Sequence, residues 1–258
     1  MFKRLKRLIG ARAPFEGGRA EAEPSAGETL YVIGDIHGRL DLLTRLLDRV
    51  RQHQRDRPPS RSRLIFLGDY VDRGPDSRGV LELLCSLAAS DADTVLLMGN
   101  HEALLLDFLG SAEVLQHWGA VGALPTLQSY GIAPPRQIDA IAAEHVRREL
   151  LSAMPQAHRA LLGSLRQTYQ NGGYYFVHAG VDPWRPLDDQ SIDDLLWIRN
   201  EFLDYAGRLE KVVVHGHTPV SEVDFRPNRI NVDTGAFATN VLSCLVLAGH
   251  EQEVIDTD

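Results

Sequence analysis

Apolar residues along this chain come in short runs, and several of these runs end on a glycine followed by acidic or imidazole side chains. Residues 30–33, Leu-Tyr-Val-Ile, read as a strand emptying into Gly34-Asp35-Ile36-His37-Gly38, and leucines at helical spacing follow over 40–50. The polar stretch 52–63, with Pro58-Pro59, reads as a loop. A second strand over 64–67 opens into Gly68-Asp69-Tyr70-Val71-Asp72-Arg73-Gly74 and a helix near 79–89. A third, over 94–98, leads through Gly99-Asn100-His101-Glu102 into a leucine-rich helix. Three strand–loop–helix units in succession predict an α/β fold with a largely parallel sheet and right-handed crossovers.

From about residue 110 to 170 the pattern changes to helical segments broken by glycine and proline, with no clear strand. This predicts a helical insertion covering one side of the site. Strand character returns over 174–177 and leads into His178-Ala179-Gly180. The segment Asp193-Asp194-Leu195-Leu196-Trp197-Ile198-Arg199 follows, then a strand over 212–214 that opens into His215-Gly216-His217-Thr218-Pro219. Residues 230–235 precede the last apolar strand, 241–248. There is no internal repeat of solenoid type.

Composition narrows the class. A chain of 258 residues, 44% hydrophobic and 24% charged, is long enough for one large α/β domain or two small ones. A formal net charge of -8 leans against a general nucleic-acid binder. Cys85 and Cys244 sit in apolar contexts, as expected for two buried thiols in a reducing compartment. No apolar run is long enough to span a bilayer, and no apolar core of signal-peptide type follows the basic amino terminus. Phe2, Leu5, Leu8 and Ile9 would form one face of a short amphipathic helix able to touch anionic lipid. The small, polar stretch 17–27 favours a tail instead. The expectation is therefore a flexible basic tail over 1–28 and a single cytoplasmic catalytic domain over 29–258.

Taken singly, each glycine-bounded loop is an ordinary turn, a helix cap or a setting for a core histidine. Together the strand ends collect Asp35, His37, Asp69, Asn100, His178 and His217, an oxygen and imidazole set without thiolate. Such a set suits Mn, Fe or Zn rather than a structural zinc cage. Asp35 and His37 lie two residues apart and would share one face of an extended segment. Asp69 is the natural bridge between two ions, and such a pair would bind phosphate oxygens and hold a hydroxide nucleophile near neutral pH. The chemistry this points to is metal-assisted phosphoester hydrolysis.

The set GDIHG, GDYVDRG, GNHE, HAG and GHTP resembles the calcineurin-like metallophosphoesterase superfamily, and within it the PPP-type phosphoprotein phosphatases of the bacterial and lambda-phage branch. The resemblance covers roughly residues 30–247. It implies a β-sandwich of mixed sheets flanked by helices, two divalent metals with Mn foremost, and phosphoserine or phosphothreonine proteins as substrates. Phosphotyrosine and small phosphoesters extend that list, and a symmetrical diadenosine tetraphosphatase shares much of the motif set. By motif, Asp35, His37 and Asp69 would hold one metal, and Asp69, Asn100, His178 and His217 the other. His101 would be the general acid and Asp72 its orienting carboxylate. Arg73 and Arg199, with Asn100, would clamp the phosphate; Arg199 is matched through the shorter LLWIR.

One departure is informative. Many superfamily members carry a second ligand histidine two positions after the one in GHT, where this chain has Pro219. The resemblance therefore leaves the first metal three protein ligands. His215 reads as a packing or supporting residue, and His53, His117, His145, His158 and His250 still more so. Asp233 is expected to shape the rim through its backbone, and Tyr70 and Trp197 to pack. The chain is expected to end soon after its last apolar strand, without a carboxy-terminal regulatory segment.

Overall fold

The structure, a computed structural model, describes residues 22–135, 137 and 139–258. The expected amino-terminal tail and its lipid-facing helix fall mostly outside these residues. Residues 22–27 lie against the domain: Gly173 N donates to Glu23 O at 2.8 Å, Ser25 N to Asn171 Oδ1 at 2.7 Å and Tyr174 Oη to Ala22 O at 2.8 Å.

The chain then runs β1 (Glu28–Ile33), α1 (Leu40–Asp56), β2 (Arg61–Phe66), α2 (Ser77–Ser90), β3 (Val95–Leu96) and α3 (Asn100–Gly110). The insertion supplies α4 (Leu115–Val121), α5 (Leu124–Ser129), α6 (Ala140–Ala153) and α7 (Gln156–Ser164). After it come β4 (Thr168–Asn171), β5 (Tyr174–Val177), α8 (Ile192–Trp197), α9 (Asn200–Leu203) and β6 (Val212–His215). The chain closes with β7 (Asp224–Phe225), β8 (Arg229–Asn231), α10 (Ala236–Thr239), β9 (Ser243–Ala248) and β10 (Glu251–Asp256).

These strands form two five-stranded sheets, ordered β10-β9-β1-β2-β3 and β4-β5-β6-β8-β7. The first three units pair in parallel as expected, β1 with β2 and β2 with β3, but β9 returns antiparallel to β1 and β10 antiparallel to β9. The second sheet is likewise mixed, with β5, β6 and β8 parallel. Both sheets are thus mixed rather than largely parallel.

Strand alternation explains the layering. Leu30 and Val32 of β1 meet Phe176 of β5 and Val214 of β6 in a core between the sheets. Their neighbours Tyr31 and Ile33 face outward and pack against Leu43, Leu46 and Leu47 of α1. Tyr175 and Val177 do the same against Leu195 and Phe202. Buried on both sides, the central strands read as unbroken apolar runs. The insertion joins the outer core of the first sheet through Phe108, Trp118, Leu127 and Leu150.

Elements extend beyond the apolar pattern where polar residues continue them. Helix α1 continues to Asp56 because Gln, Arg and Asp tolerate a helix, and only Pro58 forbids one. Strands β4, β7, β8 and β10 add to the expected set. Of these, β10 carries Glu251, Gln252, Glu253 and Asp256, the polar composition common on a sheet edge. Cys244 is buried and Cys85 half-buried, both as free thiols. Among the described residues no helix is long and apolar enough to cross a membrane.

Leu245 is fully buried between the sheets on the antiparallel strand β9. Leu245→Ala should lower unfolding free energy by about 2–5 kcal/mol in urea titrations. An unchanged midpoint would contradict the inter-sheet packing.

Candidate active site

The strand-end loops converge where the carboxyl ends of β1, β2 and β3 meet those of β5, β6 and β8. Six non-glycine residues among those described have positive φ: His37 (46°), Asp69 (51°), Asp72 (72°), Arg73 (65°), His217 (67°) and Asn240 (62°). Five of the six belong to the predicted set. Such backbone costs of order 1–3 kcal/mol per residue and persists where surrounding contacts enforce it, typically at functional sites.

Asp69 is the centre. Its Oδ2 lies 3.5 Å from His37 Nε2 and 3.8 Å from His101 Nε2, while its Oδ1 lies 3.4 Å from His178 Nε2. Two ligand-type clusters, His37–Asp69–His101 and Asp69–His178–His217, each hold their donor atoms within 4.8 Å of one another and share this one carboxylate. His178 Nε2 is 2.9 Å from Asn100 Oδ1 and 3.2 Å from His217 Nδ1. The second ring nitrogens of His37 and His178 are oriented by carbonyls, Val71 O and Leu67 O, both at 2.9 Å. Asp35 stands outside both clusters; its Oδ2 accepts from His217 N at 3.0 Å. His37 itself sits at φ 46°, outside extended backbone.

The donor set fits divalent cations. Asp35 Oδ1 and His217 Nε2 are buried without a hydrogen-bond partner, and the convergent groups are carboxylate, amide and imidazole without thiolate. Electrostatics agree. Burial opposes ionisation of Asp69, but the surrounding imidazoles, His178 and His101 foremost, hold its carboxyl below the usual range. Burial, with Asp233 and Asp69 nearby, pushes Asp35 up, and burial raises Asp233 to about 6. His37 is lowered to about 3 and His217 to about 2, chiefly by burial, so both rings stay neutral and able to ligate.

His101 differs. Burial would lower it, yet the Asp69 charge and the Asp72 hydrogen bond leave it raised. Its Nδ1 lies 2.7 Å from Asp72 Oδ2. Arg73 places Nη1 2.9 Å from His37 Nε2 and Nη2 3.1 Å from His101 Nε2, with its guanidinium 4.7 Å from the Phe237 ring centroid. Arg199 stands at the other flank, donating to Thr218 Oγ1 at 2.8 Å.

Several site residues had no assigned role in the sequence reading. Glu102 accepts four backbone N–H groups, from Asp69 and Tyr70 at 2.8 Å, Gly99 at 3.0 Å and Val71 at 3.1 Å. Burial and the Asp69 charge push its carboxyl up to about 8 against the pull of those donors. The letters GNHE held part of this signal, since a glutamate at the third helical position reaches back to the N-cap backbone N–H, here that of Gly99. Trp118 Nε1 and Thr126 Oγ1 both donate to Asp72 from the insertion, and no local motif announces them. Asp233 does more than shape the rim: besides Val220 N donating to its carbonyl, its carboxylate is buried and accepts from Gly235 N. Trp197 is 38% exposed, with its ring 6.2 Å from that of His217 and 6.4 Å from that of His117. Tyr70 does pack, fully buried, donating to Leu97 O at 2.6 Å. His215 is buried against Phe202 at 5.0 Å.

Two donor clusters joined by one carboxylate, with the Asp72–His101 pair and two arginines beside them, define a metal-assisted hydrolase of phosphate compounds. The model of the calcineurin-like phosphoesterase family matches residues 29–253, and the chain belongs to that family. Similar proteins include the asymmetrical bis(5'-nucleosyl)-tetraphosphatase PrpE of Anoxybacillus flavithermus, 27% identical over 233 residues, 83% of this chain and 88% of that one. A crystal structure provisionally described as a diadenosine tetraphosphatase superposes with TM-score 0.60 at 22% identity, covering 92% of this chain and 97% of that one. A cold-active protein tyrosine phosphatase superposes with TM-score 0.54 at 17% identity, covering 90% and 83%. These structural likenesses concern the fold.

Burial, with the Arg229 charge, lowers His215 from its usual 6.5 to about 3. The unfolded chain therefore binds this proton more readily than the folded one, so stability is lost as pH falls below 6.5. Between about pH 7.5 and about pH 5 the effect is about 2 kcal/mol. In urea titrations of chelator-treated protein, His215→Gln should lose about 2 kcal/mol less than wild type on that acidification. Identical losses would refute it.

Proposed function

We propose that this chain hydrolyses nucleoside polyphosphates, with His101 as general acid. The observation that carries the substrate class is a pair of exposed aromatic rings flanking the two arginines. Phe237 is 37% exposed under the Arg73 guanidinium, and Trp197, 38% exposed, lies two residues before Arg199. A phosphate-binding centre with an aryl ring at each flank suits a molecule that carries a base at each end of a phosphate chain. The name shared by the PrpE relatives, which match across more than four-fifths of both chains, supports the same class.

In this reading Asp35, His37 and Asp69 hold one ion, and Asp69, Asn100, His178 and His217 the other, with Mn foremost. Bound there, the pair supplies charge neutralisation for phosphate oxygens and a nucleophile drawn from water at neutral pH. Arg73 and Arg199, assisted by Asn100, align the phosphate between them. His101, oriented by Asp72, would give an Nε2 proton to the departing oxygen. The two free thiols support a reducing, cytoplasmic setting.

The second reading is phosphoserine or phosphothreonine hydrolysis in proteins, and perfect retention of GDYVDRG and GNHE favours it. Side-by-side turnover of diadenosine tetraphosphate and a phosphoserine peptide separates the two. The nucleotide reading expects the dinucleotide to be preferred, and Trp197→Ala and Phe237→Ala to raise its KM about tenfold each while moving KM for p-nitrophenyl phosphate much less. Preferred peptide turnover with unchanged dinucleotide KM would select the second reading. Product analysis then distinguishes asymmetrical cleavage, to nucleoside triphosphate and monophosphate, from the symmetrical cleavage of the tetraphosphatases that share the motif set.

The metal chemistry has its own test. Asp69→Asn should abolish p-nitrophenyl phosphate turnover and weaken Mn binding in calorimetric titrations. Robust activity in chelator-treated protein, or unchanged activity in the variant, would sink the reading.

A further inference from the structure

We propose that Trp118 and Thr126, both in the helical insertion, are positioning residues that act on the reaction through Asp72. This rests on the reading of His101 as general acid. Asp72 is fully buried, and its carboxylate accepts from three side chains. His101 Nδ1 and Trp118 Nε1 both reach Oδ2 at 2.7 Å, and Thr126 Oγ1 reaches Oδ1 at 2.6 Å. Two donors from the insertion therefore hold the two oxygens, which leaves the carboxylate one rotation in which Oδ2 faces the imidazole. An indole N–H can only donate, so Trp118 cannot compete with Asp72 for the His101 proton.

The same segment also holds the backbone. Asp72 N donates to Thr126 Oγ1 at 2.9 Å and to Ser77 Oγ at 3.0 Å, and Arg73 N donates to Gly122 O at 3.0 Å. Asp72 and Arg73 sit at φ 72° and 65°, backbone that persists only under such external restraint. The indole is in turn held by the core, fully buried with its ring 5.1 Å from that of Phe108. A mere need to satisfy a buried indole N–H could be met by any acceptor. Here the acceptor is the oxygen that binds the proposed acid. The insertion thus aims His101 as well as covering the site.

The test compares phenyl phosphate, whose leaving oxygen needs a proton, with 2,4-dinitrophenyl phosphate, whose leaving group departs as an anion. Full-length protein is assayed with Mn as wild type, Trp118→Phe, Thr126→Val, Thr126→Ser and His101→Asn. Trp118→Phe and Thr126→Val should each lower kcat on phenyl phosphate about 10- to 100-fold, with KM changed less than about twofold and little loss on the dinitrophenyl ester. Thr126→Ser should restore wild-type behaviour. Trp118→Phe added to His101→Asn should cost nothing further, as expected for residues acting through one group. Should Trp118→Phe fail to fold, the Thr126 pair carries the test. Equal losses on both esters in the insertion variants, or additive losses in the double variant, overturn the positioning role while His101→Asn still discriminates between the esters. If His101→Asn itself costs both esters equally, the acid assignment falls, and this proposal with it.

Discussion

The Glu102 carboxylate is the constraint on which the rest of the site depends. It gathers the N–H groups of Asp69, Tyr70, Val71 and Gly99 and so ties the turn after β2 to the first turn of α3. Backbone bent into positive φ at Asp69, Asp72 and Arg73 would relax without such an anchor. Gly99 is required for the closeness: a side-chain carbon there would meet Asp69 Oδ1 at 2.2 Å. The tie brings His101 N onto the Asp69 carboxylate, and the place of Asp69 in both donor clusters follows from it.

Around that anchor, burial and charge sort chemically similar groups into different roles. His37 and His217 are held neutral by burial, whereas His101, beside Asp69 and Asp72, is raised. The contrast arises from placement. His101 has a carboxylate on each ring nitrogen's side, while His37 and His178 turn their second nitrogens onto carbonyls. Rings of one residue type are thus pushed in opposite directions by their neighbours alone.

The two sheets contribute unequally. The first brings Asp35, His37, Asp69 and the start of α3; the second brings His178 and His217, and its helices α8 and α9 flank Arg199. Because the sheets meet through an apolar core, the halves of the site are held together by packing of Leu30, Val32, Phe176 and Val214 rather than by the polar groups themselves. Polar groups so deeply buried are costly unless paired, and the unpartnered Asp35 Oδ1 and His217 Nε2 are the sites where that cost is unmet within the chain.

The chain's sequence by itself determined the strand-end loops and the candidate ligands, because glycine turns, short apolar runs and acidic or imidazole side chains are local features with local causes. Apolar runs also marked the central strands, since strands buried on both faces need no alternation. Polar elements escaped: α1 runs past its last leucine to Asp56, and β10 forms as a polar edge whose pairing partner, not its composition, makes it a strand. The contacts of Trp118 and Thr126 with Asp72, like the exposure of Trp197, were likewise illegible. They depend on where helices separated by tens of residues come to rest. Only packing of the insertion against the first sheet, which sums many weak apolar contacts over the whole fold, decides which donor meets which carboxylate.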